Sequence, residues 1–183
     1  MIASDSAFKT AIYQALCSCL ALSPDSDTAK SMIREAYTEP ENSPRPARTV
    51  DVIYWSASPD SGIADPVQYV NDAQLSGFFK AGVMRALPYD LTIVCYGPGC
   101  VGNAHRIRSF FFLDGAGMPR RILRLAGIFP VPDPPAPTYL FEPEGSLWRN
   151  RADLSISMLV CDKAVYASQQ QAVSVPPSVT IIR

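Results

Sequence analysis

The sequence predicts an α+β fold: a single domain over residues 1–183 with a mixed, mostly antiparallel β-sheet, helices packed on one face, extended proline-rich loops and a C-terminal tail. Three observations predict it. Apolar residues recur at helical spacing near the start and in the middle of the chain, and alternate at spacing two elsewhere. Helical and strand segments do not alternate as βαβ units, which favours a meandering sheet over a parallel one. The length of 183 residues suits one domain, with a core large enough to need neither disulfide nor metal.

The first element is a helix over Ser6 to Leu22, within an N-terminal helical region 1–24. Ala7, Phe8, Ala11, Ile12, Ala15, Leu16, Cys19 and Leu20 recur at its spacing, Ser4 or Asp5 can cap it, and Ser23-Pro24 ends it. Asp25 to Lys30 can add a helical turn, and Met32 to Tyr37 either continues it or extends. The turn-rich stretch Glu39 to Arg48 leads into the strand Thr49 to Ser56, where Val50, Val52 and Tyr54 face one way and Ile53 and Trp55 the other. Ser58 to Asp65 reads as a polar loop, and Val67 to Val70 as a weaker strand. Gly77 to Leu87 forms a strand broken by Pro88, and Leu91 to Tyr96 the clearest central strand.

A middle helix from Val101 to Leu113 aligns Val101, Ala104, Ile107 and Phe111, and a short helix spans Arg120 to Leu125 with Gly127 as its stop. Phe129 to Thr138 carries enough proline to be barred from a sheet interior. Leu147-Trp148 and Ala152 to Val160 form a long strand with Leu154, Ile156, Met158 and Val160 on one face. Val173 to Arg183 is an extended tail interrupted by Pro176-Pro177.

Composition limits the function. Only 18% of residues are charged, against 48% apolar and 10% aromatic, and seventeen prolines outnumber ten glycines. One histidine excludes any site that needs two. Residues 1–99 carry seven basic and eleven acidic residues, and residues 100–183 nine and six, so the halves have opposite sign, −4 and +3. Arg106, Arg108, Arg120, Arg121 and Arg124 cluster, but a pI near 5.8 lacks the field of a dedicated DNA binder. Solvated helix faces or contacts to a neighbouring chain account for them. Cys17, Cys19, Cys95, Cys100 and Cys161 have no zinc spacing and read as buried free thiols from a reducing cytoplasm. No signal peptide opens the chain, and no apolar run approaches the roughly 18 residues of a membrane span.

Motifs are few. Gly97-Pro98-Gly99-Cys100-Val101-Gly102 spells G-x-G-x-x-G between a strand and a helix, the context of a dinucleotide-binding turn. Pro98 removes one N–H from it, no βαβ repeat surrounds it, and no acidic residue follows at the required distance, so a tight turn is the better reading. Ser6-x-x-Lys9 lacks the companion motifs of serine–lysine acylases. His105 has no partner for a metal site or triad. Glu142/Glu144 and Glu39/Glu41 read as solvated carboxylates in proline-rich loops. The expectation is therefore no catalytic, cofactor-binding or metal-binding residue, and no enzyme.

The order of segments from Met32 to Ile182 resembles the bacteriophage neck or tail terminator proteins. The carriers are Asn42-Ser43-Pro44-Arg45-Pro46 before a strand, Leu91 to Gly97, and the helix Val101 to Leu113. They continue with Ala126-Gly127-Ile128, Trp148-x-x-Arg151-Ala152-Asp153 opening the strand Leu154 to Val160, and the final Val179 to Ile182.

The resemblance implies a structural virion protein of the neck, folded in the host cytoplasm. It implies a homo-oligomeric ring, commonly a hexamer, at the head-proximal end of the tail tube, which stops tube growth and joins tail to head. The implied partners are the tail tube protein, the sheath protein where the tail contracts, and a head-completion or stopper protein. DNA passes through the lumen without sequence readout, and no membrane or cofactor is involved. The alternatives are another head–tail connector, such as a stopper or tail-completion protein, and a dinucleotide enzyme using Gly97 to Gly102. A helix spreads Phe110, Phe111 and Phe112 through about 200°, so at least one of these, or Trp148, is expected to reach toward a neighbouring chain.

Overall fold

The computed structural model describes residues 5–36, 46–60, 67–72, 80–112, 118–133, 135–144 and 146–166. In chain order these form α1 (Asp5–Cys19), α2 (Asp27–Met32), β1 (Ile33–Glu35), β2 (Val52–Pro59), β3 (Val67–Asp72) and β4 (Lys80–Tyr96). They continue with α3 (Cys100–Phe112), α4 (Met118–Leu125), β5 (Ile128–Pro130), β6 (Thr138–Glu144) and β7 (Leu147–Tyr166). The tail 173–183 and most of the Asn42 to Pro46 segment lie outside the described residues.

Two long strands carry the sheet. β4 and β7 run antiparallel from Ala81↔Tyr166 to Tyr96↔Arg151. On the far edge of β4, β2 pairs with one half (Val52↔Tyr96 to Pro59↔Tyr89) and β3 with the other (Val67↔Arg85 to Asp72↔Lys80). On the far edge of β7, β6 pairs with residues 147–153 and β5 with 158–160. β1 adds the parallel pair, Ile33↔Ile53 to Glu35↔Trp55, so the seven-stranded sheet is mixed but mostly antiparallel, as predicted.

Period-two patterning decides which face is covered. Trp55, Ile93 and Leu154 stand in one row across β2, β4 and β7. With Ile53, Leu91, Cys95, Ala152, Ile156, Met158 and Val160 they line one face of the sheet. Phe8, Ile12 and Leu16 of α1, Ala104, Ile107 and Phe111 of α3, and Leu123 of α4 pack onto that face in one core. Each large aliphatic or aromatic side chain among them contributes roughly 1.5–3 kcal/mol of burial. All the helices lie on this side, as expected. The opposite face carries no helix among the described residues.

Several boundaries differ from the sequence reading, each for a physical reason. Pro88 does not break the strand: β4 runs through it, with Pro88↔Leu159 in register. Its carbonyl accepts the Asp60 N–H at 2.9 Å, just past the last β2 pair. The N and C=O of one strand residue point to the same edge, so the missing N–H falls where β2 ends and no ladder bond is lost. Ser58 and Pro59 belong to β2, not to a loop. The α3 stripe is Cys100, Ala104, Ile107 and Phe111, at i, i+4, i+7 and i+11; Cys100 takes the place on it predicted for Val101, which is exposed. Ala7 is likewise exposed on α1.

The proline-rich stretch stays out of the sheet interior, but its first residues join the edge as β5. Glu142 and Glu144, expected in a loop, sit on β6. Gly127 does stop α4: at φ 76° its N–H reaches Arg124 O at 3.0 Å, and its carbonyl accepts Cys161 N–H at 2.8 Å. That left-handed backbone is one glycine adopts without strain.

Candidate functional site

The open sheet face gathers charge at one corner. There the C-terminal end of β4, the N-terminal end of β7 and strand β6 bring Tyr96, Arg149, Arg151, Asp153, Glu142 and Glu144 together. All of these but Asp153, together with Ala36, Tyr54 and Val94, line a groove of about 400 Å³. Alternation places them: Tyr96↔Arg151 and Glu142↔Arg149 are cross-strand pairs on the side opposite the core.

Most of these charges are matched. Arg151 grips Asp153 with a two-toothed fork, Nε to Oδ1 at 2.7 Å and Nη2 to Oδ2 at 2.8 Å, and reaches Glu142 Oε2 through Nη1 at 3.2 Å. Tyr96 donates its hydroxyl to the same Glu142 oxygen at 2.7 Å. Arg48 donates Nε to Glu144 Oε2 at 2.9 Å and Nη2 to the Glu144 carbonyl. Burial, then the hydrogen bond to Glu142, pushes the Tyr96 hydroxyl up to about 12. The hydrogen bond to Asp153 raises Arg151 further above its already high range. Both shifts lie away from neutral pH, so Tyr96 keeps its proton and Arg151 its charge at physiological pH. That suits binding better than proton transfer.

Arg149 differs. It is 7% exposed, its guanidinium lies 4.6 Å from the centre of the Tyr96 ring, and its Nε and Nη2 are buried with no hydrogen-bond partner. A cation over an aromatic face is compensated in part. Two buried donors without acceptors still cost free energy.

Beside the groove the β6–β7 hairpin projects apolar side chains into solvent. Phe141 is 70% exposed, Trp148 67% and Leu147 60%, with Tyr139 and Leu140 also exposed. Phe141 and Trp148 sit diagonally on the core-side face, where Pro143↔Trp148 and Phe141↔Asn150 are paired, beyond the helices that cover the rest. Of the four aromatic residues among which a contact to a neighbouring chain is expected, Phe111 is fully buried and Phe112 partly so, while Phe110 and Trp148 are exposed.

The motifs singled out in the sequence are used structurally. In the glycine-rich turn, Asp51 occupies the place a phosphate would take: its Oδ1 accepts Gly99 N–H at 2.8 Å at the start of α3. A carboxylate at a helix N-terminus satisfies the orphan donors and repels a second anion. Lys9 is paired with Glu35 at 2.7 Å, which removes it as a base for Ser6. His105 Nε2 lies 2.6 Å from the Tyr139 hydroxyl and ties α3 to β6. Arg108 donates to Pro135 O at 2.7 Å and Arg120 to Phe112 O at 3.3 Å, while Arg106, Arg121 and Arg124 are exposed. Glu142 and Glu144 are ion-paired instead of solvated, because β6 sets them beside Arg151 and Arg48. Glu39 and Glu41 lie outside the described residues.

The five cysteines are free thiols, four of them buried, and burial pushes Cys19 and Cys95 up to about 12. Sequence reasoning missed the Arg149–Tyr96 stack. Its signal was the alternating Arg149-x-Arg151 at the head of a strand whose other face is apolar.

Compared with known proteins, the chain matches the family described as phage neck terminator protein over residues 6–182. The chain belongs to that family. No curated protein shows significant similarity to it. As a neck terminator it is a structural component of the phage virion, from a family whose members associate with other head and tail parts. No helix among the described residues is long and apolar enough to cross a membrane. The exposed hairpin and the charged groove adjoin one another on β6 and β7.

Proposed function

We propose that the protein forms a homo-oligomeric ring, a hexamer, at the head-proximal end of the tail tube. There it ends tube growth and joins the tail to the neck. The family match over residues 6–182 carries this reading. The exposed Phe141, Leu147 and Trp148 support it, because an apolar patch left in solvent marks a surface made for another protein. Interface cores favour aromatic residues and arginine over other charged groups, which also suits the low charged fraction.

In this reading residues 1–183 act as one terminator domain without catalytic, cofactor or metal residues. The tube protein, a stopper or head-completion protein and, in contractile tails, the sheath bind it. DNA crosses the lumen unread. The filled glycine turn argues against the dinucleotide alternative. The deciding experiment adds the purified chain to polymerising tail tube protein, followed by electron microscopy. Tubes of arrested length with a ring at one end are expected; unlimited tubes with no added density would refute it.

A further inference from the structure

The donors of Arg149 that lack partners are Nε and Nη2, which form the side-on fork of a guanidinium, the edge shaped for a carboxylate. Two residues along the same face, Arg151 uses that same edge on Asp153. Arg48 has Glu144, and Arg151 has Asp153 and Glu142. Arg149 is thus the cation of the cluster that has no carboxylate among the described residues. The corner as a whole is close to neutral, with Arg48, Arg149 and Arg151 against Glu142, Glu144 and Asp153. It therefore suits a singly charged carboxylate better than a phosphate, whose second charge the three acids would repel.

Resting on the reading of the chain as a ring subunit, we propose that Arg149 is a socket for a carboxylate of a neighbouring copy, supplied by Asp25 or Asp27. The sheet order puts β1 at one margin and β6 at the other. α2 packs beside β1 and β2 at the first margin, with Asp25 and Asp27 exposed there. Arg149 lies on β7, beside β6 at the second margin. A head-to-tail contact, the kind that closes into rings, joins unlike margins. Leu140 and Leu147, exposed on the groove's own face of β6 and β7, exclude water around the pair. The guanidinium turns about its terminal torsions to present its fork as the groove closes.

The test measures self-association of the full chain by sedimentation and native mass spectrometry for the wild type, Arg149→Met, Arg149→Lys and Asp25→Asn/Asp27→Asn. Each variant is also added to tail tubes. The wild type is expected to associate, and both Arg149→Met and the double Asn variant to do so at least tenfold more weakly. Arg149→Lys, which keeps the charge but loses the fork, is expected to weaken association too. Arg149→Met should melt no lower than the wild type, since it removes buried donors that have no acceptor; a residue with a purely structural role would lower the melting temperature.

A wild type that stays monomeric, or a Met or double Asn variant that associates within twofold of the wild type, overturns the proposal. If those variants also cap tubes normally, the socket falls while the terminator reading stands. If the wild type neither associates nor caps tubes, both fall.

Discussion

Asp51 reaches the backbone N–H of Gly99 at 2.8 Å, and so a side chain from the start of β2 closes the glycine-rich turn that opens α3. Gly97 adopts φ 106°, and a Cβ there would come within 2.5 Å of Asp51 Oδ1 and 2.7 Å of Val50 O. Replacing Asp51 by Ala should cost about 1–2 kcal/mol, the usual loss of a helix cap. Gly97→Ala should cost about 1–3 kcal/mol through its backbone conformation and more through the clash. Denaturant melts read both. Neither variant should gain thermal stabilisation from NAD.

Alkaline pH should weaken the fold. Cys19 and Cys95 ionise near 12 when folded, against an ordinary 9, because burial penalises the thiolate. Between those values the unfolded chain has lost protons that the native chain keeps, so stability is full below about pH 9 and falls as pH rises toward 12. The slope is about 1.4 kcal/mol per pH unit for each group. Tyr96 acts in the same direction above pH 10. Urea melts from pH 7 to 11 should show a falling midpoint; a flat profile would contradict the burial of both thiols.

Ala21 holds φ 58° just past α1, with Leu22 N–H bonded to Cys17 O at 2.9 Å, the arrangement of a helix stop that glycine normally serves. Ala21→Gly relieves the left-handed strain but loosens the unfolded chain, for a net gain of about 0.5–1 kcal/mol. A rise of a few degrees in melting temperature is the expected reading.

Core and rim should separate cleanly. Phe111→Ala removes a fully buried ring and should cost about 3–5 kcal/mol. Trp148→Ala and Phe141→Ala, at exposed sites, should leave stability within about 0.5 kcal/mol while reducing self-association. Thermal melts beside sedimentation decide it. A Trp148→Ala protein that assembles like the wild type would remove the hairpin from the interface.

Tyr96→Phe should cost about 1 kcal/mol, because the hydroxyl bonds a charged carboxylate in a half-open groove. Amide exchange in β6 should quicken in the same variant, since Glu142 links that strand to β4. Unchanged exchange would show that the hydroxyl does not hold the strand.

Much of this was legible from local pattern. The stripe Phe8, Ile12, Leu16 and Cys19 has only one way to bury itself as a helix, and Leu154 to Val160 only one way as a half-covered strand. The stop at Gly127 follows from one residue's backbone freedom. Pro88 and β6 were not legible. A proline's effect depends on which strand edge its nitrogen meets, and Tyr139 to Glu144 becomes a strand because β7 offers it an open edge.

Local chemistry in the sequence settles the α+β class, the covered sheet face, the core and the order of segments shared with the neck terminator family, because short-range periodicity and backbone preference decide these. Tertiary structure alone decides that Asp51 fills the glycine turn, that Glu142 and Glu144 are held by Arg151 and Arg48, and that Arg149 is buried over Tyr96 without an acceptor. Those outcomes join residues as far apart as 48 and 144, and such pairs are set by strand register and sheet order, which no local pattern encodes.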